Sequence, residues 1–352
     1  MLAVLEAVQE EYMLLVRRMR FWAPVLGSLL LALGCSSIDQ QQDVPPTVAA
    51  SGANLGAKVD AVPDAADTFD AEIQLAAFDE QGRPIEIESS RISLRNADDT
   101  VPVSFSTPSC KPGNKPGKDS WSVLFLMDQT GSMQSRNDPE DARIDASKAL
   151  LGKLGSSNEA ALWAFASGAN RRIPSEVHRY FPTFTQEVAP FFPVLDELKS
   201  LEGGATNFFN AAYEAATEGF GSATKANRAL VAFTDCEDNS SSRTDEELIA
   251  AAKLNKVQVF TVGLMGQTNV RRLVNLAYET EGAHLQAEHA GAVISYFQNL
   301  GQMFSSAGGV RVTTLNVRFT STYFRRNGAQ IYLWVVVDRP GGKPISVPVI
   351  LK

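Results

Sequence analysis

A short apolar run at residues 121–127 (WSVLFLM) constrains the fold of this chain more than any other stretch. Polar turn residues bound the run, which is typical of a strand buried on both faces of a parallel sheet. The run ends at Asp128, and hydroxyl side chains follow at every second position, Thr130 and Ser132. A chain that turns back at the end of the strand aims these three side chains at one point. Taken alone, the pattern also fits a polar turn that caps a helix.

Two downstream residues favour a binding site over a simple cap. Thr206 lies in a glycine-marked loop just before a predicted helix, and Asp235 follows a second predicted buried strand. Carboxylates and hydroxyls are hard oxygen ligands, which suit Mg²⁺, Mn²⁺ or Ca²⁺ better than Zn²⁺ or Cu²⁺. We therefore expect a metal site, with Mg²⁺ as the first choice, whose ligands are Asp128, Thr130, Ser132, Thr206 and Asp235.

Predicted strands and helices alternate across residues 121–306. Besides the first strand, apolar runs predict strands at 160–166, 178–184, 229–233, 257–262 and 283–286, the second of them at a sheet edge. Helical spacing or capping residues predict helices near 139–154, 188–200, 208–220, 245–254, 269–278 and 293–304. This alternation predicts an α/β fold with a doubly wound, mostly parallel sheet and helices on both faces. Ligands of such sheets bind at the carboxyl ends of the strands.

Two segments with period-two apolar patterns flank the central domain, at residues 69–107 and 307–352. They predict several antiparallel strands on each side. The strands either close one small β-sandwich, with the central domain as an insertion, or form two separate sheets. Residues 108–120 contain several Pro and Gly residues and are interpreted as a linker into the central domain.

The N-terminus is predicted to be an export signal. Arg17, Arg18 and Arg20 precede an uncharged, mostly apolar stretch at residues 21–34, which is shorter than the roughly 20 residues of a membrane-spanning helix. The stretch ends at Cys35 and resembles the lipobox of bacterial lipoproteins, in which the cysteine becomes the lipidated first residue. A plain signal peptide or a short anchor is the alternative. The acidic residues among 1–18 are unusual for a signal, so translation starting at Met19 fits better than at Met1.

The resemblance implies an exported protein that is anchored to a bacterial membrane, on the periplasmic side or at the cell surface. Residues 36–68 are rich in Gln, Asp, Ala, Pro and Ser and contain few large apolar side chains. Such a segment buries too little surface to offset its ordering entropy. We therefore expect a disordered tether between the anchor and the folded part.

Composition and motifs exclude several classes of function. The net charge of −8, without a basic run, disfavours binding to nucleic acid, which requires clustered Lys and Arg. Residues 113–119 lack the hydroxyl and the preceding strand of a phosphate-binding loop. The sequence contains no G-x-S-x-G motif, and His178, His284 and His289 lie in no recognisable catalytic setting. Neither a phosphate-binding loop nor a serine hydrolase is therefore predicted.

The chain resembles the von Willebrand factor type A family over about residues 120–306. That family carries D-x-S-x-S after its first strand, a threonine in a G-G-x-N-like loop, and an aspartate in T-D-G after a later strand. The five expected ligands occupy these positions and correspond to the metal-ion-dependent adhesion site of the family. The resemblance implies binding of a protein partner whose Asp or Glu completes the metal coordination, without catalysis. A structural role in an envelope or secretion assembly is the alternative, and a metal-dependent hydrolase is the third choice.

Cys236 stands where the family has glycine after the aspartate. If Cys35 carries lipid, Cys110 and Cys236 remain in an oxidising compartment, and this even count permits one disulfide. Cys110 precedes the first central strand by about ten residues, a length that reaches up to about 33 Å. A bridge between Cys110 and Cys236 and a free, buried Cys236 are both compatible with the sequence.

Overall fold

A computed structural model of the chain describes residues 51–79, 83–98, 100–118, 120–138, 141–235, 238–263, 270–286, 293, 296–297, 300–301, 304, 309–327 and 329–352. The predicted signal segment and Cys35 lie outside these residues. No helix in the described ranges is long and apolar enough to cross a membrane.

The described part of the chain contains fourteen strands and six α-helices. The strands are β1 (Ser51–Ala61), β2 (Thr68–Phe78), β3 (Ile92–Asn96), β4 (Ser104–Phe105), β5 (Ser109–Pro116), β6 (Trp121–Asp128), β7 (Glu159–Phe165), β8 (Val177–Thr185), β9 (Asn227–Thr234), β10 (Val257–Gly263), β11 (Ala283–Gln286), β12 (Gly309–Thr320), β13 (Ile331–Val337) and β14 (Ile345–Leu351). The helices are α1 (Ala142–Leu151), α2 (Phe191–Leu198), α3 (Phe208–Glu218), α4 (Asp245–Leu254), α5 (Val270–Glu279) and α6 (Thr322–Asn327).

Strand β6 lies inside a mixed sheet and is buried along its whole length. Strands β7 and β9 flank it in parallel, β10 and β11 continue the parallel part, and β8 closes one edge antiparallel to β7. Among the described residues this sheet has eleven strands in the order β4-β12-β2-β1-β11-β10-β9-β6-β7-β8, with β5 also paired to β12. The predicted α/β fold with a mostly parallel central sheet is confirmed.

Successive side chains of β6 enter two different cores, because neighbouring residues of a strand point to opposite faces. Val123 and Phe125 pack with residues of α1 and α2 on one face. Leu124 and Leu126 pack with residues of α3, α4 and α5 on the other. Helices therefore cover both faces of the central sheet, as predicted, and both faces of β6 are apolar for that reason.

The flanking segments share one core, but they do not form a separate sandwich. Strands β2 and β12 pair with each other and extend the central sheet through β1, which pairs with β11. Strands β3, β13 and β14 form a second, antiparallel sheet. Apolar side chains of both layers meet in one cluster that includes Phe69, Ile73, Leu315, Leu333 and Val347. One layer of the expected sandwich is thus a continuation of the central sheet.

Two segment predictions are wrong in part. The predicted tether is wrong over residues 51–61, which form β1, pair with β2 and bury Ala53 and Leu55. Residues 36–50 of the predicted tether lie outside the described residues. The predicted linker contains β5, which pairs with β12 in spite of its Pro and Gly residues. In both cases the backbone polar groups of the segment are satisfied by hydrogen bonds to a neighbouring strand. Such pairing leaves little trace in the pattern of apolar residues along the sequence.

Candidate metal centre

Two predicted metal ligands lie at the carboxyl ends of neighbouring parallel strands. Asp128 is the last residue of β6, and Asp235 comes directly after β9. The two strands pair in register, with Met127 opposite Phe233. Both acid side chains are fully buried, at 0% exposure. The carboxyl edge of the sheet therefore brings two buried carboxyl groups together.

The first predicted motif folds back on itself as expected. The backbone N–H of Thr130 donates a hydrogen bond to Oδ1 of Asp128 over 2.9 Å. The hydroxyl oxygens of Thr130 and Ser132 lie 3.2 Å apart. Thr234 belongs to β9, and its hydroxyl donates to Oδ2 of Asp128 over 2.8 Å. The structure therefore brings Asp128, Thr130 and Ser132 into one cluster, and Thr234 joins it.

The loop that carries Thr206 lies between the loops that follow β6 and β9. The Gly203 N–H donates to the Gln129 carbonyl over 2.8 Å, and the Gly131 N–H donates to the Gly204 carbonyl over 3.1 Å. On the other side, the backbone N–H groups of Asn239 and Ser240 each donate to the carbonyl of Thr206 over 3.0 Å. These hydrogen bonds connect the three segments that contain the five predicted ligands.

Glycine is required at position 204 for this close approach. Gly204 has a φ of +93°, and a Cβ there would lie 2.4 Å from the carbonyl oxygen of Ser167. Only glycine adopts this backbone conformation without strain. The glycine-marked loop noted in the sequence thus has a steric cause, which is the packing of the Thr206 loop against residues after β7.

Asn137 is a member of the site that the sequence analysis did not identify. Its side-chain amide donates to Oδ2 of Asp235 over 2.7 Å. A π-helical turn, Met133–Asn137, places it there. No spacing rule in the sequence predicts such a turn, whereas Thr234 could have been found as the hydroxyl residue directly before Asp235.

The electrostatics of the site fit a divalent cation. Burial raises the pKa of Asp128 to about 7, and the neighbouring carboxylate of Asp235 adds to the shift, while hydrogen bonds from Thr130 and Thr234 oppose it. Ionising two adjacent buried acids is unfavourable unless positive charge accompanies them. The donor set of carboxylates and hydroxyls matches Mg²⁺, Mn²⁺ or Ca²⁺. Metal binding itself stays a prediction.

Among the described residues, metal sites built from several acidic, histidine or cysteine side chains are not found. Within the described ranges, no three His, Cys, Asp or Glu side chains gather closely enough to hold a metal ion. The candidate centre differs from such a cluster because three of its five predicted ligands, Thr130, Ser132 and Thr206, contribute hydroxyl groups.

The predicted disulfide partners are only half described. Cys110 lies on β5, opposite Leu315 of β12, and has no disulfide partner among the described residues. Its backbone N–H donates to the hydroxyl of Ser89 over 2.8 Å, and burial raises the pKa of its thiol. Cys236 lies outside the described residues, so the bridge stays a prediction.

Comparison with known proteins gives a family. The sequence profile of the von Willebrand factor type A domain matches residues 122–305, just over half of the chain. No curated protein matches the sequence significantly.

The solved structures that match this chain do so with low sequence identity and with TM-scores below 0.5. They include the pilus adhesin SpaC from Lactobacillus rhamnosus GG, with 10% identity, a TM-score of 0.43, and coverage of 84% of this chain and 47% of SpaC. They also include a von Willebrand factor type A protein from Catenulispora acidiphila, with 12% identity, a TM-score of 0.43, and coverage of 88% and 73%. The three N-terminal domains of the pili tip protein Mfa5 from Porphyromonas gingivalis match with 10% identity and a TM-score of 0.40, covering 87% and 78%. This chain spans about half the length of SpaC.

Proposed function

Because the chain belongs to the von Willebrand factor type A domain family, we propose that it is a metal-dependent protein-binding module of a bacterial envelope protein. The single observation that carries the proposal is the meeting of three segments at one sheet edge, with Asp128, Thr130 and Ser132 from the first, Thr206 from the second and Asp235 from the third. We propose no catalytic role for these residues.

The proposed partner presents an Asp or Glu side chain. Asp128 and Asp235 would hold a divalent cation through their buried carboxylates, and the cation would supply an electrophile for further oxygen ligands. Two carboxylates and three hydroxyls leave room for water or for a carboxylate from another protein, since Mg²⁺ and Ca²⁺ take six or more oxygens. The side open to such a partner is marked by exposed Gly131 and half-buried Ser132.

A carboxylate probe tests this proposal without knowledge of the natural partner. The purified full chain is loaded with Mn²⁺, and the relaxation of water protons is followed as a short peptide containing Asp is added. We expect the peptide to displace metal-bound water and lower the relaxation enhancement. The same peptide with Asn in place of Asp should have no effect. An equal response to both peptides, or to neither, would contradict the proposed mode of binding.

A structural metal is the second candidate, and the burial of the site favours it. Asp128, Thr130, Thr206 and Asp235 are each at most 2% exposed. A metal that only joins the three segments would serve an envelope or secretion assembly as a stabilising element. In that case, removal of the metal by a chelator lowers the unfolding temperature, but the Asp peptide does not change the relaxation of the Mn²⁺-loaded protein.

We also propose that the protein is exported and anchored by lipid on Cys35. Support comes only from the order of basic residues, apolar stretch and small residues before that cysteine. Mass spectrometry of the protein from a membrane fraction tests it. We expect a mature N-terminus at Cys35 that carries lipid. An intact peptide spanning Gly34 and Cys35 would refute the anchor and leave the metal site unaffected.

A further inference from the structure

A buried arginine connects all three segments of the candidate metal centre. The side chain of Arg143, near the start of α1, has 0% exposure. Its Nη1 lies 2.6 Å from Oδ2 of Asp138, and its Nη2 lies 2.5 Å from Oε1 of Glu202. Nη2 also donates to Oε1 of Gln129 over 3.4 Å. A charge this deeply buried is tolerated only because such partners surround it.

Each of these partners lies in or beside one of the segments that form the candidate site. Gln129 lies between Asp128 and Thr130. Glu202 begins the loop of Thr206, directly before Gly203, whose N–H is bound to the Gln129 carbonyl. Asp138 follows Asn137, whose amide is bound to Asp235. One guanidinium group therefore contacts two ligand-bearing segments directly and reaches the third through Asp138 and Asn137.

We propose that Arg143 is a positioning residue that fixes the three ligand-bearing segments relative to each other and thereby sets the metal affinity. This inference rests on the proposed metal site. The planar guanidinium reaches two carboxylates in fixed directions, which the single ammonium of a lysine does not. Segments held in place before the metal arrives need not be ordered on binding, so affinity is higher. Residues that orient metal ligands typically contribute about 10- to 100-fold in affinity.

A purely structural role makes a different prediction, which separates the two interpretations. If Arg143 only supports the core, its replacement lowers the unfolding temperature of the metal-free protein but leaves the Kd for metal unchanged. If it positions the segments, the Kd rises as well. Both quantities can be measured on the full chain, the first by thermal unfolding without metal and the second by electron paramagnetic resonance of free Mn²⁺.

The test compares Arg143→Lys and Glu202→Gln with a matched control, Arg179→Lys. Arg179 also binds two carboxylates, Glu214 and Glu218 of α3, over 2.5 Å and 2.6 Å, but neither belongs to a ligand-bearing segment. We expect the Kd for Mn²⁺ to rise about tenfold or more in Arg143→Lys. It should also rise in Glu202→Gln, which keeps the shape of the side chain, and stay unchanged in Arg179→Lys.

Each outcome decides the inference. Mn²⁺ binding equal to that of the parent in both Arg143→Lys and Glu202→Gln would overturn the positioning role while leaving the metal site intact. If Arg143→Lys does not fold, Glu202→Gln decides alone. A parent protein that does not bind Mn²⁺ would overturn the proposed function and this inference together.

Discussion

The side-chain amide of Asn137 holds Oδ2 of Asp235 through a hydrogen bond of 2.7 Å. The two residues lie 98 positions apart in the sequence. The π-helical turn Met133–Asn137 makes the contact possible, and such turns are frequent at functional sites. The orientation of one predicted ligand therefore depends on a residue outside the metal motif.

Replacing Asn137 should weaken metal binding without unfolding the protein. In Asn137→Ala, Asp235 loses the donor that orients its carboxylate, and we expect the Kd for Mg²⁺ to rise about tenfold. Isothermal titration calorimetry measures the change.

Asn158→Ala is the matched control for this prediction. Asn158 is also buried and accepts a hydrogen bond from the Trp121 N–H over 2.9 Å, but it lies at the opposite end of β6. Its loss leaves the Trp121 N–H without its partner, so we expect a loss of about 1–3 kcal/mol in unfolding free energy. The metal affinity should stay unchanged. Equal metal affinities in Asn137→Ala and the parent would refute the orienting role of Asn137.

Metal affinity should depend on pH through Asp128. Its pKa is raised to about 7 in the folded protein, from an ordinary value of 3.8, chiefly by burial. A cation needs the ionised carboxylate, so binding below about pH 7 displaces a proton. We expect the affinity for Mg²⁺ to fall up to about tenfold per pH unit below that value and to level off above it. Calorimetric titrations between roughly pH 5.5 and 8.5 measure this profile. A flat profile would contradict the raised pKa.

The unfolding free energy of the metal-free protein should fall as pH rises, whereas the metal affinity should increase. Between the unfolded pKa of 3.8 and the folded pKa of about 7, the folded state keeps a proton that the unfolded state releases. Asp128 therefore makes the unfolding free energy fall as pH rises, by at most about 1.4 kcal/mol per unit. Asp128→Asn lacks this titration and serves as the control. The unfolding free energy of Asp128→Asn, measured relative to that of the parent, should increase from about pH 5 to about pH 8. This range lies within and just above the window between the two pKa values. A constant difference would contradict the account.

The packing of β1, which occupies part of the predicted tether, can be tested by a substitution at Gly52. A Cβ on Gly52 would lie 2.3 Å from Cγ2 of Val347 and 2.9 Å from Cγ2 of Ile345, both buried on β14. We expect Gly52→Ala to lower the unfolding free energy by about 1–3 kcal/mol, as overpacking does. Gly113→Ala on β5 is the control, since its Cβ would meet Val312 at an ordinary 3.4 Å. Chemical denaturation of both variants measures the difference, and an unchanged Gly52→Ala would mean that residues 51–61 do not pack as described.

Local signals in the sequence predicted most of the central domain. The helix α4 is an example, because Thr244 and Glu247 form the capping box that the S/T-x-x-E spacing indicates, and the predicted bounds 245–254 match. The strand β11 likewise matches the predicted 283–286. Local sequence patterns indicate these elements, so the sequence alone is sufficient to predict them.

Features that depend on distant partners were not predictable. Strand β1 is built largely of small and polar residues and is a strand because β2 and β11 pair with it. In the sequence Arg143 resembles any other helix residue, yet Asp138 and Glu202 make it the buried centre of an ion-pair network. The ligand motif of the site was visible because its residues lie close to the ends of β6 and β9 or, for Thr206, just before α3, whereas the residues that orient it come from elsewhere.

Calorimetric titration of the purified full chain with Mg²⁺, Mn²⁺ and Ca²⁺ tests the central claim most directly. We predict binding of at least one of these ions at a single site, and loss of that binding in Asp128→Ala and in Asp235→Ala. Far-UV circular dichroism should show that both variants remain folded. No binding of any of the three ions, or binding by both variants as tight as by the parent, would contradict the metal centre at Asp128, Thr130, Ser132, Thr206 and Asp235.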